Sequence, residues 1–158
     1  MLRLLMIADD FTGALDTGVQ LAAHGIPTQV VVGQADLSAC SSTVLVVDTR
    51  HLPAAKAAKA VEELTHSAVE NGVGCIYKKT DSALRGNIGA ELAALLKASG
   101  ARNLPFLPAF PQIGRTTEKG VHVELYVVIE YGTNITTVSQ NPNAIGYASL
   151  ASVKDTVK

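Results

Sequence analysis

Leu2-Arg-Leu-Leu-Met-Ile-Ala-Asp-Asp-Phe-Thr-Gly-Ala14 opens the chain with a short apolar run that stops at two carboxylates, Asp9 and Asp10. A run without polar alternation suits a strand buried on both faces. Start signals for a helix follow at once. Asp10 or Thr12 stands at the N-cap position, Asp16 lies in the first turns, and Ala14, Leu15, Val19, Leu21, Ala22 and Ala23 supply apolar bulk until Gly25 ends it. A strand covered on both faces needs helices above and below, and the rest of the sequence supplies them.

Residues 28–32 and 43–47 read as strands, the second ending at Asp48. Pro53 opens a helical pattern through Val69, with Ala57, Val61, Leu64 and Ala68 at three- and four-residue spacing and Asn71-Gly72 as its stop. Residues 74–78 form the next predicted strand, 88–98 a helix closed by Gly100, and 104–107 a fifth strand. Gly114 to Thr117 reads as a loop, and residues 123–130 as one further strand. Strands alternating with helices require crossover connections, so the predicted fold is a three-layer α/β/α domain with a mainly parallel, Rossmann-like sheet.

Composition agrees and narrows the function. The chain has 158 residues, 47% apolar and 17% charged, with no Trp; that length makes one ordinary domain with an aliphatic core. A formal net charge of -1 provides no field to attract nucleic acid or an anionic membrane. Cys40 and Cys75 are too few for a zinc site or disulfide framework and read as buried free thiols. The N-terminal apolar run is too short for a signal peptide, and no stretch is long enough to span a bilayer, so the expected location is the cytoplasm.

In parallel sheets, ligands sit beyond the carboxyl ends of the strands. Four such ends carry polar or loop-forming groups here: Asp9-Asp10, Asp48-Thr-Arg-His51, the run from Lys79 to Arg85, and Pro108 to Thr117. Residues distant in sequence are thereby predicted to share one rim.

Each group has a functional and a plainer reading. Asp9 and Asp10 can accept hydrogen bonds from hydroxyls, and one can act as a general base; alternatively Asp10 only caps the helix. Lys79 and Arg85, on one short loop with Asp81 and Ser82 beside a helix N-terminus, can hold a carboxylate or phosphate, and Asp81 between them either keeps the cations oriented or contacts substrate hydroxyls. The alternative is a surface salt-bridge cluster, with Asp81 or Ser82 as helix cap. Asp48 and Arg50 lie on the rim, where an arginine can clamp an anion bidentately. Gly114, Arg115 and Thr116 offer N–H groups, a cation and a hydroxyl, without the lysine of a Walker loop. His24, His51, His66 and His122 read as solvated or core-satisfied, and Lys78, facing away from Lys79, as structural or solvated. No histidine pair has metal-ligand spacing, so no protein-bound metal is expected.

Together, Ile7-Ala-Asp-Asp-Phe-Thr-Gly-Ala14, Asp48-Thr-Arg-His51, Lys78-Lys-Thr-Asp-Ser-Ala-Leu-Arg-Gly-Asn-Ile-Gly-Ala-Glu-Leu92 and Pro108-Ala-Phe-Pro-Gln-Ile-Gly-Arg-Thr-Thr117 resemble, in order and spacing, the four-carbon acid sugar kinase family. The resemblance covers residues 1–123. It implies phosphoryl transfer from ATP, with Mg, to a hydroxyl of a threonate, erythronate or 3-oxo-tetronate. It further implies that this N-terminal domain binds the acid sugar and that a separate domain binds the nucleotide. Carried to this chain, Asp9 and Asp10 meet the sugar hydroxyls, while Lys79, Asp81, Ser82, Arg85 and Arg115 surround the substrate and its carboxylate.

Residues 124–158 depart from that pattern, and no nucleotide domain is recognisable in them. Residues 135–158, especially Asn141-Pro-Asn-Ala-Ile-Gly-Tyr147, resemble a short piece of periplasmic phosphate-binding proteins, as a fusion or frameshift would produce. The expected partners are therefore a small sugar acid and either a separate nucleotide-binding domain or a second copy of the chain. A non-catalytic sugar-acid-binding module shares all these features. A response-regulator receiver fits Asp9-Asp10, Asp48 and Thr80 but lacks its lysine at the end of strand five, where Pro108-Ala109-Phe110 stands. A haloacid-dehalogenase phosphatase needs an aspartate where Phe11 is.

Overall fold

The computed structural model describes residues 2–33 and 40–124, and its first compact unit runs Met1–Glu124. Four strands form a parallel sheet: β1 (Leu4–Ala8), β2 (Thr28–Val32), β3 (Ser42–Val46) and β4 (Cys75–Lys79), in the order β2-β3-β1-β4. Helices α1 (Phe11–Ala23), α2 (Ala54–Glu70) and α3 (Ile88–Ser99) make the crossovers. The predicted mainly parallel α/β fold is therefore the one observed.

The continuous apolar character of β1 follows from its central place. Leu5 and Ile7 join Leu45 of β3 and Val61 and Ala68 of α2 on one face.

 Leu95 of α3 is the residue that closes this cluster over the sheet. Met6 and Ala8 point the other way, onto Ala14 of α1 with Val44 and Val46. The alternation also sorts the lysines of β4. Lys78 lies opposite Ile7 in the register and so shares the face of α2 and α3, whereas Lys79 lies opposite Ala8 and shares the face of α1.

Local signals set the helix ends. Asp10 caps α1, its Oδ1 accepting from the Gly13 N–H at 2.8 Å. Gly100, with φ of 67°, closes α3 in the left-handed conformation that glycine adopts without strain. Helix α2 begins after Pro53 and stops at Asn71.

Three expectations are corrected. Residues 104–107 form no fifth strand: Pro105 has no N–H for a ladder, and Leu107 is 88% exposed. The outer edge of β4 instead faces a groove of about 530 Å³, lined partly by Tyr77, Leu104 and Phe106. The stretch read as a loop from Gly114 is a strand from its second residue on: β5 (Arg115–Glu118) pairs antiparallel with β6 (Val121–Glu124), after a 3-10 turn at Pro111–Ile113. Lys119 and Gly120, with φ of 49° and 80°, make the two-residue connection that a tight hairpin demands. Finally, Cys75 is exposed and Cys40 only partly buried, because each sits at the amino end of the sheet or just before it. The expected strand over 123–130 lies outside the described residues beyond Glu124, as does the tail segment 135–158. Among the described residues no helix is long and apolar enough to cross a membrane.

Candidate functional site

Parallel strands deliver their carboxyl ends to one rim, and β1, β3 and β4 are neighbours there. Asp9 and Asp10 follow β1, Arg50 lies four residues beyond β3, and Asp81 lies two beyond β4. Arg50 joins all three carboxylates. Its Nε lies 3.0 Å from Asp9 Oδ2, one terminal nitrogen 2.7 Å from Asp10 Oδ2, and the other 3.6 Å from Asp81 Oδ1. The sequence suggested an arginine open to an anion; the guanidinium is instead the hub of an internal network, with 12% of its side chain exposed. Burial alone would lower the Arg50 pKa, but its hydrogen bond to Asp9 and the charges of Asp9, Asp10 and Asp81 hold it above the ordinary value.

Asp81 is gripped from its own loop as well. Arg85 Nε and one terminal nitrogen reach its two oxygens at 2.7 and 2.9 Å, and the Arg85 N–H donates at 3.1 Å. This fork holds the Asp81 carboxyl well below the usual carboxylate range; burial acts in the opposite direction, and the Arg50 charge adds to the lowering. The salt-bridge alternative for Asp81 and Arg85 is thus present. The helix-cap alternative is not, because Asn87 occupies that position. Asn87 ties two loops together, its Nδ2 donating to the carbonyls of Thr49 and Leu52 at 3.1 and 2.7 Å. Leu84, with φ of 58°, and Gly86, with φ of 91°, let the loop curl against Arg50.

The remaining cations approach from two other directions. Lys79 Nζ donates to the Thr80 carbonyl at 2.8 Å, and it would lie 3.2 Å from a Cβ on Gly13, so it sits over the start of α1 near Asp10. Arg115 of β5 donates to Ser82 Oγ at 2.6 Å. His122 of β6, read as solvated or core-satisfied, is a second link between hairpin and loop. Its Nε2 lies 2.9 Å from the Ser82 carbonyl and its Nδ1 lies 3.3 Å from Thr117 Oγ1. A neutral ring with the proton on Nε2 satisfies both contacts.

Asp9, Asp10, Arg50, Lys79, Asp81, Ser82, Arg85 and Arg115 therefore converge. Asp48, Gly114 and Thr116 are not joined to them by side-chain hydrogen bonds among the described residues. Asp48 is exposed and takes a φ of 49°, Gly114 closes the 3-10 turn with a φ of 75°, and Thr116 pairs with Val123 in the hairpin.

Asp9 is the candidate nearest to an open chemical role. It is 3% exposed, and although Oδ2 meets Arg50, Oδ1 is buried without a hydrogen-bond partner among the described residues. A carboxylate oxygen kept unpaired beside an arginine is an acceptor available to a hydroxyl. Asp10 has less to offer, since one oxygen caps α1 and the other meets Arg50. Among the described residues, no three or more His, Cys, Asp or Glu side chains gather as metal ligands.

Residues 4–143 match the family described as "Sugar-binding N-terminal domain". A D-threonate kinase of Salmonella typhimurium is 42% identical over 75% of this chain and 29% of its own length. A D-threonate kinase of Bordetella bronchiseptica is 39% identical over 92% of this chain and 40% of its own length. The chain therefore spans well under half the length of these curated relatives. Among solved structures, a domain of unknown function from Bordetella bronchiseptica, a domain-swapped dimer with bound citrate, superposes with a TM-score of 0.70 at 31% identity. That superposition covers 92% of this chain and 37% of the other. With the motif order, the parallel sheet and the family match in agreement, this chain belongs to the family of sugar-binding N-terminal domains.

Proposed function

We propose that this chain supplies the acid-sugar-binding domain of a kinase that phosphorylates a four-carbon sugar acid of the threonate, erythronate or 3-oxo-tetronate class. The observation that carries the reading is the convergence of Lys79, Arg85 and Arg115 with Asp9, Asp10 and Asp81 around one rim. A tetronate has a carboxylate at one end and hydroxyls along its length. Lys79 and Arg115 supply the charge-assisted donors for the carboxylate. Asp9 and Asp10 accept from the hydroxyls, and Asp9, through Oδ1, is the group to orient or deprotonate the one that is phosphorylated. The citrate held by the Bordetella bronchiseptica relative is likewise a hydroxylated acid.

The loop entering β5 is no Walker phosphate loop, since it lacks the lysine, and among the described residues no three or more His, Cys, Asp or Glu side chains gather as metal ligands. ATP and its Mg²⁺ therefore belong mainly to a separate nucleotide-binding domain, contributed by further polypeptide or by another chain, and ATP supplies the phosphoryl group when bound there. This reading assigns residues 1–123 to substrate binding and 124–158 to a divergent extension, and it places the protein in the cytoplasm. A cleft closed by two domains suits a reaction that depends on positioning and charge stabilisation.

Calorimetric titration with a panel of tetronates tests the assignment, with uncharged erythritol as control. Heat from at least one tetronate and none from erythritol supports it. No heat from any tetronate, with the fold intact by circular dichroism, refutes it. Binding without phosphorylation when a relative's nucleotide-binding domain and MgATP are added would make the chain a non-catalytic sugar-acid-binding module.

A further inference from the structure

Beneath the rim, on the face of α2 and α3, lies a second charged contact, separate from the Arg50 network. Lys78 Nζ is 2.7 Å from Glu91 Oε2, and each side chain is only 2% exposed. The same ammonium donates to the Lys79 carbonyl at 3.1 Å, while Glu91 Oε1 is buried without a hydrogen-bond partner among the described residues. Such a pair is a costly way to fill a core, since two apolar residues of similar size stabilise at least as well. Its distinguishing property is direction: an apolar pair would not fix the end of β4, and this pair does. Glu91 stands in the first turn of α3 and reaches across to β4, and its own N–H donates to the Asn87 carbonyl at 3.0 Å. Lys78 thus holds the last peptide of β4 from below, while Lys79, on the opposite face, extends toward the start of α1.

We infer that Lys78 and Glu91 are positioning residues. Their buried pair fixes the end of β4 and the start of α3, and so sets where the intervening loop presents Lys79, Asp81, Ser82 and Arg85 to the sugar acid. The assignment rests on the proposed substrate for its functional half only, because the anchoring of the loop is a property of the chain itself. The pair is an internal support and touches no substrate.

Two variants test it, Glu91→Gln and the apolar double variant Lys78→Met/Glu91→Leu, each read by amide hydrogen exchange without ligand and by tetronate titration. The double variant is expected to melt at or above the wild-type temperature. Exchange across residues 80–86 is nevertheless expected to speed up by about tenfold, with exchange in α1 unchanged. Tetronate affinity should fall by about tenfold or more; Glu91→Gln, which leaves the Lys78 ammonium buried without its counter-charge, should show the same loop and affinity changes and melt below wild type. Wild-type loop exchange in both variants overturns the inference, as does wild-type tetronate affinity in both variants when the wild type binds. Faster loop exchange, with no tetronate bound even by the wild type, upholds the anchoring and sinks the sugar-acid reading instead.

Discussion

Arg50 Nε donates to Asp9 Oδ2 over 3.0 Å, and this bond joins the loop after β3 to the end of β1, 41 residues earlier. Because the same guanidinium also meets Asp10 and Asp81, it offsets three carboxylates that would otherwise repel one another. Arg50→Met should therefore destabilise the domain by about 3 kcal/mol or more, as removal of one member of a buried ion pair does. Arg50→Lys should recover only part of this, since a single ammonium cannot reproduce a planar fork. Urea unfolding of the two variants checks both statements.

Two glycines near helix starts should respond to alanine with opposite sign. A Cβ at Gly89 in α3 meets nothing within 4 Å, so Gly89→Ala should stabilise by roughly 0.5–1 kcal/mol through lost backbone freedom in the unfolded chain. A Cβ at Gly13 in α1 would lie 2.7 Å from Asp10 Oδ1, displacing the carboxylate that caps the helix. Gly13→Ala should cost about 1 kcal/mol despite alanine's better helix propensity. Thermal melts of the pair would show it, with about 2–4 °C expected per kcal/mol at this chain size.

The Asp81 carboxyl is held well below its ordinary range by the hydrogen bonds from Arg85. A depressed folded-state pKa contributes stability above the unfolded value, about 3.9 for Asp, and loses it as pH falls through the folded value. Asp81→Asn should accordingly lower stability by a constant amount from neutral pH down to about pH 5. The deficit should shrink below about pH 4, as the unfolded wild-type chain takes up a proton at this carboxyl while the folded protein keeps it ionised. Parallel stability curves all the way into acid would show that the Arg85 fork does not perturb Asp81.

The rim was legible in the sequence because strand ends in a parallel sheet must converge, and β1, β3 and β4 each end in polar residues. The role of Arg50 was not. Its three partners come from two other strand ends, and no spacing rule links residue 50 to residues 9 and 81. Lys78 was legible as facing away from Lys79, since alternation fixes that, but its partner Glu91 depends on the pitch at which α3 crosses β4. His122 escaped for a related reason, because only the turn at Lys119-Gly120 folds it back onto Ser82. The fifth strand failed at Pro105, whose missing N–H outweighs the apolar run around it.

The central claim is that Lys79, at the end of β4, and Arg115 of β5 grip the carboxylate of a four-carbon sugar acid. The measurement is the dissociation constant of the preferred tetronate for wild type, Lys79→Met and Arg115→Met, alongside each protein's melting temperature. The account predicts a loss of about tenfold or more for each variant, the scale of a charge-assisted hydrogen bond, with melting little changed. Wild-type affinity in both variants would contradict it.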